Sequence, residues 1–165
     1  MFLSLRSVGI ALLSMSVLSL QAASALTPDV TGIWLTDDGE GAVEIRPCGD
    51  ARCGQIVWLK QPLDAHGQPL HDVNNPSAAA RSRTLCGTEI LSGLRRQDDG
   101  SWDGGSIYDP EEGKTYTVTL KPVGDAKLEV TGYVGIKALS ETVTWTRRDT
   151  QLTRCNPDTK SRAAQ

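Results

Sequence analysis

Thr115-Tyr116-Thr117-Val118-Thr119-Leu120 decides the fold, because polar and apolar side chains alternate there residue by residue. In an extended chain successive side chains point to opposite faces, so this pattern gathers Tyr116, Val118 and Leu120 on one face and leaves the threonines on the other. Working outward, the same alternation returns in Lys127-Leu128-Glu129-Val130-Thr131 and in Thr142-Val143-Thr144-Trp145-Thr146. Upstream, Val43 and Ile45 alternate with Glu44 and Arg46. Less regular strand-like segments run through 30–36, 53–60, 88–94 and 101–108. Almost nothing beyond the first 25 residues reads at helical period.

Turn chemistry separates these runs. Asp37-Asp38-Gly39, Cys48-Gly49-Asp50, Asp98-Asp99-Gly100, Asp109-Pro110-Glu111-Glu112-Gly113 and Gly124-Asp125 supply residues that accept positive φ or close on their own backbone. About eight short strands joined as sequential hairpins predict an all-β fold, a small antiparallel up-and-down barrel whose closure removes exposed edges. One connection breaks the rhythm. Residues 61–87 hold Pro62, Pro69 and Pro76 and no strand pattern, and the order Asn75, Pro76 predicts a capped helical turn or two over 77–83. A connection this long serves either as a functional lid or as a simple cover over one end of the barrel.

The first 25 residues read as an export signal: Arg6 supplies positive charge, 8–20 an apolar run, and Ala23-Ser24-Ala25 a small-x-small cleavage pattern. The expected organisation is a signal peptide at 1–25 cleaved near Ala25, a β-barrel domain at 26–150 and a C-terminal tail at 151–165. The apolar run is too short for a stable membrane-spanning helix and no stop-transfer charge follows it, so no stable membrane anchor is expected. The chain has 17 Lys and Arg, one of them Arg6, against 20 Asp and Glu, so cleavage leaves a net charge of about −4. Mild acidity without a basic patch argues against nucleic acid or an anionic membrane as partner.

All four cysteines, Cys48, Cys53, Cys86 and Cys155, lie in the exported part, where an oxidising compartment favours disulfides. Cys48 and Cys53 flank a tight Gly-Asp-Ala-Arg turn between two strands, so a bridge between them is expected. Cys86 with Cys155 then follows by elimination, with two free thiols as the alternative. A zinc site is not expected, since the other soft ligands are only His66 and His71 and no paired CxxC exists.

Gly32-Ile33-Trp34 opens the first strand and Thr144-Trp145-Thr146-Arg147 closes the last. A Gly-x-Trp on the first strand with a late Arg resembles lipocalin-like and avidin-like barrels, which implies structural roles for Gly32, Trp34 and Arg147. There the indole plugs one end and the guanidinium lies across it as a cation–π contact. A wider resemblance covers residues 31–148 and is carried by Gly32-Ile33-Trp34-Leu35-Thr36, Ile45-Arg46-Pro47-Cys48, Cys53-Gly54-Gln55-Ile56-Val57-Trp58-Leu59 and Asp72-Val73-Asn74-Asn75-Pro76. Arg83, Trp102, Gly104-Gly105, Ile107-Tyr108-Asp109-Pro110 and Gly113-Lys114-Thr115-Tyr116 continue it. These stretches resemble the small exported bacterial family described only as domain of unknown function 2147. The resemblance implies a lipocalin-like fold and a cell-envelope setting, and no established activity or catalytic residues. The chain departs from that pattern at Cys86 and in the tail beyond Arg148, so the resemblance does not specify the second disulfide.

Candidate chemistry concentrates in the long connection. An Arg fork holds a carboxylate or phosphate bidentately and Asn adds a donor and an acceptor, so Asp72, Asn75 and Arg83 form either a head-group site or an internal brace. His66 and His71 lie five apart, and His71-Asp72 would be half of a hydrolytic triad, but no Gly-x-Ser-x-Gly elbow supplies a nucleophile. The acidic clusters Asp37-Asp38-x-Glu40, Asp98-Asp99 and Asp109-x-Glu111-Glu112 match no calcium loop and read as solvated hairpin tips. Trp58, Trp102, Tyr108 and Tyr116 fall on strands, where inward aromatics either fill a small barrel or line its cavity. The expectation is a periplasmic or secreted barrel that binds a small amphipathic, lipid-like molecule without catalysis, cofactor or metal. Its contacts would be Asp72, Asn75 and Arg83, with Trp58, Tyr108 and Tyr116 on the wall. The alternatives are an envelope module that binds a protein partner, and a hydrolase using His71 and Asp72.

Overall fold

The computed structural model describes residues 29–148 and 152–155, so the expected signal peptide with its Ala25 cleavage point lies outside the described residues. Eight strands follow in order: β1 Gly32–Leu35, β2 Gly41–Cys48, β3 Ala51–Leu59, β4 Glu89–Arg96, β5 Trp102–Asp109, β6 Lys114–Val123, β7 Lys127–Tyr133 and β8 Ser140–Arg148. Each pairs antiparallel with the next, and β1 returns to β8 to close the barrel. The alternation seen in the sequence sets which face is buried. Val118, Leu120, Leu128, Val130 and Trp145 are all buried, and register places Leu120 opposite Val130 and Leu128 opposite Trp145.

Antiparallel order sorts the connections by parity. The turns β2–β3, β4–β5 and β6–β7 share one end with the start of β1 and the finish of β8. The connections β1–β2, β3–β4, β5–β6 and β7–β8 share the other.

The first end is sealed. Trp34 is fully buried, its indole N–H donates to the Val30 carbonyl at 2.7 Å, and the Arg147 guanidinium lies 4.1 Å over the ring. Arg147 also donates to the carbonyls of Thr31 at 2.8 Å, Asp29 at 2.9 Å and Asp125 at 2.5 Å, so one side chain ties β1, β8 and the β6–β7 turn together. Gly32 makes room for it: the backbone there has φ +129°, and a Cβ would stand 2.6 Å from Arg147 Nη1. A second cation–π pair, Arg52 over Trp102 at 4.5 Å, packs beside it.

Both disulfides form, Cys48–Cys53 within the β2–β3 hairpin and Cys86–Cys155 across 69 residues, with Cα–Cα 5.9 Å in each. The second pairing decides the question the sequence left open. It straps the tail onto the outer wall, where Leu152 packs beside Ile33, Ala42 and Val57, and Arg154 reaches both Glu44 carboxylate oxygens at 2.5 and 2.7 Å. The expected helix is a correction: only Ala78–Ala80 turns, as a single 3-10 turn, and its N-cap is Ser77. Asn75 lies two positions ahead of the turn, where its Oδ1 accepts from the Ser77 N–H at 2.9 Å while its Nδ2 donates to Asp72 and Tyr108.

Candidate functional site

At the second end the barrel is hollow. A cavity of about 430 Å³ opens there, with Val43, Ile56, Ile90, Ile107, Val130, Val143 and Trp145 on its walls and Leu85 reaching in from the long connection. Inward residues of neighbouring strands supply these walls, so the cavity follows from the same period-two pattern that built the core. The mouth is polar and of one sign. Asp37, Asp38 and Glu40 come from the β1–β2 connection, Asp109 from the end of β5, Glu111 and Glu112 from the β5–β6 connection, and Glu141 from β8, with Tyr108 and Tyr116 between them. Among the described residues, no Lys or Arg lines the cavity. The Tyr116 hydroxyl donates to Glu112. That bond, then burial and the neighbouring charges of Glu112, Asp109 and Glu141, push its phenol up to about 12.

The long connection is latched to one side of this mouth. Asp72 is fully buried. Its Oδ1 accepts from the Tyr108 hydroxyl at 2.6 Å; its Oδ2 accepts from Asn75 Nδ2 at 2.8 Å and from Arg83 Nε and Nη2 at 2.9 and 2.7 Å. Burial works against the charged form, but the donors from Tyr108, Asn75 and Arg83 outweigh it and hold the carboxyl below its ordinary range. Arg83 also lies 5.6 Å over the Tyr108 ring. A second clasp sits close by, where Asn74 Nδ2 donates to the carbonyls of Pro110 and Glu111 at 3.3 and 2.8 Å. Gly113 permits it, since its φ is +65° and a Cβ would stand 2.0 Å from the Asn74 carbonyl oxygen.

The structure therefore brings Asp72, Asn75 and Arg83 together, as a brace. Asp72 spends its lone pairs on internal donors and does not line the cavity; Asn75 and Arg83 border a smaller recess of about 310 Å³ between the connection and β4–β6. Tyr108 and Tyr116 line the cavity at its mouth. Trp58 does not: it packs on the outer wall with Ile33, Ala42 and Val57. The reason is a bulge. Val43 pairs with Ile56 but Ala42 with Trp58, so Val57 is an extra residue that reverses the facing of the side chains after it.

The donors that reach Asp72 are Tyr108, Asn75 and Arg83; among the described hydrogen bonds none comes from His71, whose backbone bridges to Thr84 instead. Among the described residues no group of three or more His, Cys, Asp or Glu is placed to hold a metal ion, and no helix is long and apolar enough to cross a membrane.

Two comparisons bear on this architecture. The profile of a family described as "Uncharacterized protein conserved in bacteria (DUF2147)" matches residues 32–147. A solved structure from Helicobacter pylori, protein HP1028, described as belonging to the lipocalin family, superposes with a TM-score of 0.64 at 26% identity, covering 75% of this chain and 86% of that one. No curated protein matches the chain.

Proposed function

The chain belongs to the bacterial DUF2147 family, and on that footing we propose that it binds a small amphipathic molecule in the open end of its barrel and performs no chemistry on it. One observation carries this reading: a barrel plugged at one end keeps about 430 Å³ at the other, walled by aliphatic side chains and Trp145 and edged by polar groups. A dry wall with a wet rim suits a ligand with an apolar body and a polar head. The cavity is of the size at which pockets hold small molecules, and the lipocalin-like likeness supports the same use. Two disulfides suit a protein that works in the periplasm or outside the cell.

Titration with Nile red, a neutral dye that brightens in apolar surroundings, tests this directly. Saturable binding of one dye per protein, lost in Val143→Trp with an unchanged circular dichroism spectrum, is the expected result. Absence of saturable binding, or equal binding by Val143→Trp, overturns it. A second reading, a partner-facing envelope module, draws on Val134, Ile136 and Leu139, which stand exposed on the β7–β8 connection. The connection that carries them leaves the barrel at the cavity's end, and Lys137 within it pairs with Asp103 of β5.

A further inference from the structure

The rim narrows the class of ligand. Among the seven carboxylates at the mouth, Glu40 and Glu112 carry lysine partners, Lys60 at 2.6 Å and Lys114 at 3.4 Å. Asp37, Glu111 and Glu141 have no cationic partner among the described ion pairs, and Asp38 and Asp109 accept only from their own turns. Of the other cations on the connections of this end, Arg83 pairs with Asp72, Lys137 pairs with Asp103, and Arg81 donates to the Asn75 carbonyl at 2.8 Å. A concave site edged by one sign of charge beside low-dielectric walls focuses its field and concentrates the opposite charge.

The carboxylates also converge. Those of Asp109, Glu112 and Glu141, from two different stretches of the barrel, all act on the Tyr116 phenol. Tyr116 and Tyr108 add aromatic rings to the same rim, and ring faces attract cations, quaternary ammonium groups above all. An anionic head would face the carboxylates of the β1–β2, β5–β6 and β8 sides of this mouth.

Resting on the ligand-binding reading above, we infer that the molecule the barrel takes is a cationic amphiphile. Its tail lies against Ile107, Val130 and Trp145, and its protonated amine or quaternary ammonium head sits at the Tyr116 rim among the carboxylates. The aliphatic walls supply affinity for the tail, which is indifferent to the head. The rim supplies the choice between heads.

Decyltrimethylammonium, decyl maltoside and decyl sulfate share a tail and differ only in the head. Calorimetric titration of the mature protein with each, below its micellar concentration and with circular dichroism confirming the fold, isolates the rim. The cationic probe is expected to bind about tenfold more tightly than the neutral one, with the anion weakest. That preference shrinks in the double variant Asp37→Asn, Glu141→Gln, both exposed positions, and in about 0.5 M NaCl, where surface charges are screened. Equal affinity for the three heads, or tightest binding of decyl sulfate, overturns the cationic assignment and leaves the cavity as a binding site. No saturable binding of any probe overturns both.

Discussion

The two ends of the barrel are made from similar parts and put them to opposite use. At the sealed end a cation, Arg147, is spent on three backbone carbonyls and an indole face, and a fully buried Trp34 leaves no room inside. At the hollow end an anion, Asp72, is spent on four internal donor bonds, but these fix a connection to the side of the mouth and leave the interior empty. Beyond it on the rim, Asp37, Glu111 and Glu141 are unspent among the described bonds. The difference teaches where stability and function part company. A charged side chain consumed by its own fold holds structure, and one left facing a cavity is available to a ligand.

Substitutions should separate the ends in order of effect. Trp34→Ala removes the plug of the sealed end and should cost about 3–5 kcal/mol in urea unfolding. A loss below 1 kcal/mol would mean that this end is not where the barrel is held shut. Asp72→Asn should cost about 2–3 kcal/mol, because Arg83 loses its counter-charge and Tyr108 and Asn75 keep a weaker partner.

The same carboxylate sets a pH dependence. Its folded value is depressed, so its contribution is complete above the ordinary Asp value of about 4 and disappears as pH falls through the lower folded value. Stability measured below pH about 4 should therefore fall more steeply in the parent than in Asp72→Asn. Parallel acid curves would show that the latch is not ionic.

Gly32→Ala should cost about 1–2 kcal/mol, since the new Cβ meets a strained φ of +129° and crowds a guanidinium held by three carbonyls. The smallest effect is spectroscopic. Tyr116 should ionise near 12 in an ultraviolet titration, and Glu112→Gln should bring it back toward the ordinary tyrosine value of about 10 with the fold untouched. A Tyr116 that ionises at its ordinary value in the parent would separate it from the acidic rim.

The barrel was legible because alternation is a local property: Val118, Leu120, Leu128 and Val130 announce their facing without knowledge of any partner. The sealed end was legible through Gly32, Trp34 and Arg147, and the first disulfide through the short turn between Cys48 and Cys53. The candidate site was legible in part. Asp72, Asn75 and Arg83 lie close in sequence and could be grouped, but their fourth partner, Tyr108, comes from β5 and only folding delivers it. Trp58 was misplaced because a one-residue bulge reverses side-chain facing and leaves no mark on composition.

The acidic rim was the largest omission. Its clusters read as separate solvated tips, each correctly placed in a turn. Counting strands would have joined two of them: Asp37-Asp38 and Asp109-Glu111-Glu112 sit in odd-numbered connections and share the open end, while Asp98-Asp99 sits in an even one and goes to the other. Parity of connection, in an up-and-down barrel, is a signal the sequence does contain. The hollow itself is not, since the same inward aliphatics would fill a barrel drawn slightly tighter.

Crystals of the protein grown with decyltrimethylammonium carrying a bromine at the tail end would locate both parts of such a ligand at once, through the anomalous signal of the halogen. That peak is expected beside Trp145 and Val130, deep in the interior, with the head group in density next to Tyr116. A peak on the outer wall near Trp58 and Leu152, or none inside a barrel whose side chains have closed the space, would contradict it.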